Sequence, residues 1–122
     1  MSKQDKMAAA PAAYLKALAD QDLEAVMALY SDDAVVEDPV GSEPHVGKDA
    51  VRAFYKGVVE FELDPVLTGQ VRISANEAAF PFYVLNKSAG VRVNIIDVFK
   101  FNDEGDVCGM RAFWGESNAE PL

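Results

Sequence analysis

The stretch Val91-Arg92-Val93-Asn94-Ile95-Ile96-Asp97-Val98-Phe99-Lys100-Phe101 decides how this chain folds. A β-strand sends successive side chains to opposite faces. One face then carries Val91, Val93, Ile95, Asp97, Phe99 and Phe101; the other carries Arg92, Asn94, Ile96, Val98 and Lys100. This is a strand with its apolar face turned to a core, and a carboxylic acid sits in that face. An ionised, unpaired carboxylate there would cost more than folding can supply. Asp97 must therefore pair with a distant Arg or Lys, or hold a proton. No cation lies beside it on its own face.

Working outward, further strand-like runs cover about Val66–Ile73, Ala78–Leu85 and Val107–Gly115. Turn clusters at Ser74-Ala75-Asn76, Asn86–Gly90 and Asn102–Gly105 supply the hairpin connections. The first half reads differently. Pro11 suits a first helical turn, and Tyr14, Leu15, Leu18 and Ala19 recur at helical spacing. Asp20 can end that helix and cap a second, whose stripe is Leu23, Val26, Met27 and Tyr30. A short strand, Ala34–Asp38, is closed by Pro39, and the Pro39–Gly47 loop follows. Val51, Phe54, Tyr55, Val58 and Val59 then mark a third helix. Helices followed by strands give an α+β chain, with three N-terminal helices packed on a curved, mainly antiparallel sheet.

The length of 122 residues supports one domain, 1–122. With 11 Lys+Arg against 20 Asp+Glu the formal net charge is −9, which argues against nucleic acid or an anionic membrane as partner. No apolar run reaches membrane-span length. The single Cys108 can form no intramolecular disulfide. The N-terminal segment lacks the leucine-rich core of a signal peptide and is interrupted by Pro11, so a soluble, cytoplasmic protein is expected. Metal-ligand spacing, a phosphate-cradling glycine loop and a dinucleotide fingerprint are all missing, and the only histidine, His45, reads as a solvated loop residue. Acid/base chemistry on a bound apolar molecule remains.

Asp38 shares strand parity with Ala34 and Val36, so it too leans to the apolar side, although Asp before Pro is also a common turn initiator. At a strand terminus beside a loop it can stay ionised. Tyr14, Tyr30 and Tyr55 are each expected on the buried stripe of a different helix. Any one of them alone is an ordinary core residue. Three inward tyrosines and two inward carboxyls together describe an apolar cavity with a few convergent polar groups.

The chain also carries Val36-Glu37-Asp38-Pro39-Val40-Gly41-Ser42-Glu43-Pro44, Ala53-Phe54-Tyr55, Asn76–Phe82, Ile96–Phe101 and Arg111–Glu116, in that order after Tyr14. In these segments it resembles the bacterial ketosteroid isomerases, members of the nuclear-transport-factor-like superfamily of cone-shaped α+β proteins. The resemblance implies a cofactor-independent, homodimeric enzyme that converts 3-oxo-Δ5-steroids to 3-oxo-Δ4-steroids, with no metal. It implies that Asp38 is the general base, moving a proton from steroid C4 to C6, and that Tyr14 and Asp97 donate hydrogen bonds to the C3 oxygen. Tyr55 and Tyr30 would extend the hydrogen-bond chain behind Tyr14. Phe80, Phe82, Phe99, Met110 and Trp114 would line the steroid cavity. This family is itself the known case of a carboxylic acid kept neutral at pH 7, so a protonated Asp97 follows from the resemblance as well. The superfamily also holds other activities, so a cyclase or lyase acting on another polycyclic ketone, or a non-catalytic module binding an apolar ligand, are the competing expectations.

Overall fold

The computed structural model of the chain describes residues 1–122. Its first helix, α1 (Lys3–Ala19), begins well before Pro11, the residue expected in its first turn. Ser2 explains the earlier start. Its side chain accepts from the Asp5 N–H (3.1 Å) while the Asp5 carboxylate accepts from the Ser2 N–H (3.4 Å), a reciprocal cap that satisfies two otherwise free donors. Pro11 therefore lies buried inside the helix, where burial of its ring offsets the lost backbone hydrogen bond.

The second helix, α2 (Leu23–Met27), is short and is capped by Asp22, not Asp20: Asp22 Oδ1 accepts from the Ala25 N–H (3.1 Å), whereas Asp20 closes α1. Tyr30 is not part of it. The Leu29 carbonyl accepts from the Val107 N–H (2.8 Å), which draws the chain into the sheet, and Tyr30 opens strand β1 (Tyr30–Glu37). The two-residue β2 (His45–Val46) follows, then α3 (Lys48–Val58). Gly47, just before α3, has φ +89°, a conformation that favours glycine. The run expected over Val66–Ile73 is divided into β3 (Leu63–Leu67) and β4 (Arg72–Ser74). Pro65 is tolerated inside β3 because that strand is an edge of the sheet. β5 (Glu77–Asn86), β6 (Val91–Phe101), β7 (Val107–Phe113), a 3-10 turn (Glu116–Asn118) and β8 (Ala119–Pro121) complete the chain.

The strands form one open, curved sheet in the order β2–β1–β7–β6–β5–β3, with β4 added on β5 and β8 on β6. β1 runs parallel to β7 and every other pair is antiparallel. Alternation fills the inner face: Phe80, Phe82 and Val84 from β5, then Asp97, Phe99 and Phe101 from β6. An irregularity between Lys100 and Phe101 shifts the pairing with β7, so that Val107 and Met110 both turn inward. Tyr14, Leu18, Val51 and Tyr55 of the helices close over this face. Each fully buried aromatic contributes about 1.5–3 kcal/mol by leaving water. The outer face keeps apolar side chains in solvent, with Ile96 48% and Phe113 42% exposed.

Candidate active site

Asp97 lies across from Phe80 of β5 and Ala112 of β7, and is 2% exposed. None of the ion pairs of the chain involves it, which removes the ion-pair alternative. Burial first, and the nearby Asp38 second, hold its carboxyl well above the usual carboxylate range. That shift favours the protonated form, which can donate a hydrogen bond.

Three tyrosines meet beside it. The Tyr55 hydroxyl lies 3.1 Å from that of Tyr14 and 2.6 Å from that of Tyr30, a buried chain contributed by α1, α3 and the first residue of β1. The Tyr14 ring meets Phe99 edge-to-face at 5.2 Å, which fixes its direction. Burial is the main reason why all three phenols are pushed well above their ordinary value, so all three remain protonated donors.

Asp38 follows β1 directly. The turn that carries it is pinned to β7: the Val40 N–H donates to the Ala112 carbonyl (2.8 Å), and Arg111 donates to Glu37 (3.2 Å), whose carboxylate also accepts from the Gly41 N–H (3.0 Å). Asp38 is half-buried, as its strand parity with Ala34 and Val36 implied. Burial raises its pKa, while the indole N–H of Trp114, donating to Oδ1 at 2.8 Å, and the charge of His45 pull it back. The two aspartates are thus driven apart, with Asp38 the more acidic and Asp97 the more protonated. His45 is no free loop residue; it is half-buried in β2 and stacks on Phe54 at 4.5 Å.

These groups open onto one cavity of about 620 Å³. Its polar wall is Tyr14, Tyr55, Asp38, Asp97 and Trp114, and Phe82 lies on its apolar side. Phe80, Phe99 and Met110, expected on that wall, are instead fully buried in the core behind it, and Tyr30 reaches the cavity only through Tyr55. The remaining wall comes from residues not singled out in the sequence, chiefly Phe54, Val58, Leu63, Val84, Val93 and Ile95. Strand parity with Asp97 and Phe82 was a usable signal for Val93, Ile95 and Val84. No group of three His, Cys, Asp or Glu side chains is arranged to hold a metal ion, and no helix is long and apolar enough to cross a membrane.

A curved sheet closed by three helices around a largely apolar pocket, with most of its polar groups gathered in one part of its wall, defines the class: a nuclear-transport-factor-like α+β domain. Within it, the chain belongs to the SnoaL-like domain family, whose model matches residues 12–110. Over 108 residues the chain is 39% identical to a steroid Delta-isomerase of Nocardioides simplex, with 87% of each protein covered. Among solved structures it is similar to SalBIII, an epoxide hydrolase/cyclase-like enzyme in pyran ring formation in polyether salinomycin, with a TM-score of 0.88 and 25% identity over 100% of both chains.

Proposed function

We propose that the protein is a steroid Δ-isomerase that converts 3-oxo-Δ5-steroids to their 3-oxo-Δ4 isomers without a cofactor. Asp38 removes a proton from C4, the electron pair moves toward the C3 oxygen to give a dienolate, and the same carboxyl returns the proton to C6. A carboxylate is a weak base toward carbon, so the negative charge growing on the C3 oxygen must be stabilised as the proton leaves. Tyr14 and Asp97 donate to it. Each such donor contributes on the order of 10²–10³ in turnover, and the positioned base roughly 10²–10⁴. If Tyr14 spends its only proton on the ligand, it accepts from Tyr55, which accepts in turn from Tyr30; the chain then polarises toward the oxyanion.

The observation that carries this reading is the contrast between two aspartates on one cavity: Asp97 is buried, outside every ion pair and held well above the usual carboxylate range, whereas Asp38 is raised less and accepts from the Trp114 indole N–H at 2.8 Å. A module that only bound ligand would need no base facing its donors. The identity to the Nocardioides simplex isomerase supports the same choice of substrate class. The likeness to SalBIII favours a second reading, a cyclase or lyase using Asp38 on another polycyclic ketone. One assay separates them: purified protein with a 3-oxo-Δ5-steroid should produce the ultraviolet absorbance of the conjugated enone. An unchanged spectrum would leave the cyclase or lyase reading. We further propose a cytoplasmic homodimer, formed through the apolar outer face of the sheet around Ile96 and Phe113.

A further inference from the structure

The cavity has a second polar feature, at the opposite end from Asp97. Phe82, Val84 and Asn86 share the inner face of β5, and all three lie on its wall. Asp97 sits across from Phe80, and Asn86 is six residues farther along that strand, a path of at most about 20 Å at roughly 3.3 Å per residue. The wall between them, Phe82, Val84, Val93 and Ile95, is apolar. Asn86 therefore interrupts an apolar row at a distance on the order of a four-ring skeleton with a hydrogen bond at each end.

The asparagine is only partly used by the protein. Its backbone carbonyl accepts from the Gly90 N–H (2.9 Å), and its Oδ1 accepts from the Ala89 N–H (3.1 Å). Both contacts serve the β5–β6 turn, and both use oxygen. Accepting at Oδ1 leaves the two N–H bonds of Nδ2 without a partner in the chain. Asn86 is half-buried, so water can serve that amide, and a ligand oxygen can take the water's place. Glu60, exposed on the same wall, offers only acceptor oxygens when ionised and cannot supply this donor.

We infer that Asn86 is a specificity residue whose amide donates a hydrogen bond to an oxygen at the far end of the ligand. The substrate class is then a rigid apolar polycyclic ketone with a second oxygen, keto or hydroxyl, opposite the reacting one. The inference rests on the isomerase reading of the site, since that reading sets which end of the ligand meets Asp97.

The test uses matched ligands. Binding is measured for two phenolic steroids, one with a keto group at C17 and one with a methylene there, and turnover for the corresponding pair of 3-oxo-Δ5-steroids. Wild type should bind the keto member roughly two- to ten-fold more tightly, the usual range for one neutral hydrogen bond. Asn86→Asp keeps an oxygen for the Ala89 N–H but removes the donor. It should abolish the discrimination and raise KM for the keto substrate by the same factor, with kcat unchanged, because the contact is equal in ground and transition states. Equal binding of the pair by wild type, or undiminished discrimination in Asn86→Asp, overturns the inference while leaving the isomerase reading intact. Absence of turnover with either 3-oxo-Δ5-steroid overturns that reading and the inference with it.

Discussion

Replacing Asp97 by Asn separates a neutral acid from a carboxylate. A carboxyl whose folded pKa lies above its unfolded value binds its proton more tightly in the folded protein. Its contribution is fully present below the unfolded pKa, near 4, and is lost as the pH rises toward the folded value. Asp97 is raised well above the ordinary range, by burial first and by Asp38 second. Across that window one such group costs wild type about 1.4 kcal/mol of stability per pH unit. Asp97→Asn removes this slope while keeping the shape and an N–H donor. Asp38 is also raised, but it titrates in both proteins and largely cancels in the comparison. The variant should therefore gain on wild type as the pH rises above the unfolded value, at a rate of at most about 1.4 kcal/mol per pH unit. Urea unfolding at several pH values measures the difference directly. Turnover should follow the donor: Asp97→Ala should lose on the order of 10²–10³ in kcat, and Asp97→Asn should lose less. A stability difference that stays flat with pH would mean that Asp97 ionises as an ordinary aspartate, and the neutral-acid reasoning would be wrong.

The other expectations concern the groups around it. Asp38→Asn should nearly abolish turnover while leaving the Kd of a phenolic steroid within a few-fold; substantial residual turnover would remove Asp38 from the base role. Tyr14→Phe should lower kcat by about 10²–10³ without unfolding the protein, since Tyr55 keeps its 2.6 Å contact with Tyr30; stopped-flow turnover and circular dichroism together check this. Trp114→Phe deletes the 2.8 Å donor that lowers the Asp38 pKa. Because the base must be ionised to act, the acid limb of the kcat/KM profile should move to higher pH, and an unmoved limb would show that the indole does not tune the base.

The strand through Asp97 was legible because alternation is a property of the chain itself: Val93, Ile95 and Asp97 share the cavity wall, and Asp97, Phe99 and Phe101 are buried in turn. The third helix was legible from its apolar stripe, which buries Val51 and Tyr55 as the spacing implies. The second helix was not. Leu23, Val26, Met27 and Tyr30 fit helical spacing, yet the Leu29 carbonyl pairs with Val107 and the chain joins the sheet at Tyr30. Tyr30 is buried in either conformation, so periodicity had nothing with which to decide between them. The misplacement of Phe80, Phe99 and Met110 has a similar cause. They share the inner face with Asp97, but alternation does not say which end of that face the helices cover tightly and which end they leave open. The packing of α1 and α3 seals the end around Phe99 and leaves the end around Ile95 as cavity. The Trp114–Asp38 contact joins residues 76 positions apart, and the parallel pairing of β1 with β7 that brings them together has no local signature in the chain.

The most direct test of the central claim follows a labelled hydrogen. A 3-oxo-Δ5-steroid carrying deuterium at the transferred C4 position is converted in ordinary water, and the product is read by NMR and mass spectrometry. One carboxyl serving as both acceptor and donor inside a cavity that limits exchange should deliver a substantial part of the deuterium to C6 of the Δ4 product. Complete loss of the label to solvent, or no Δ4 product at all, would contradict proton transfer by Asp38.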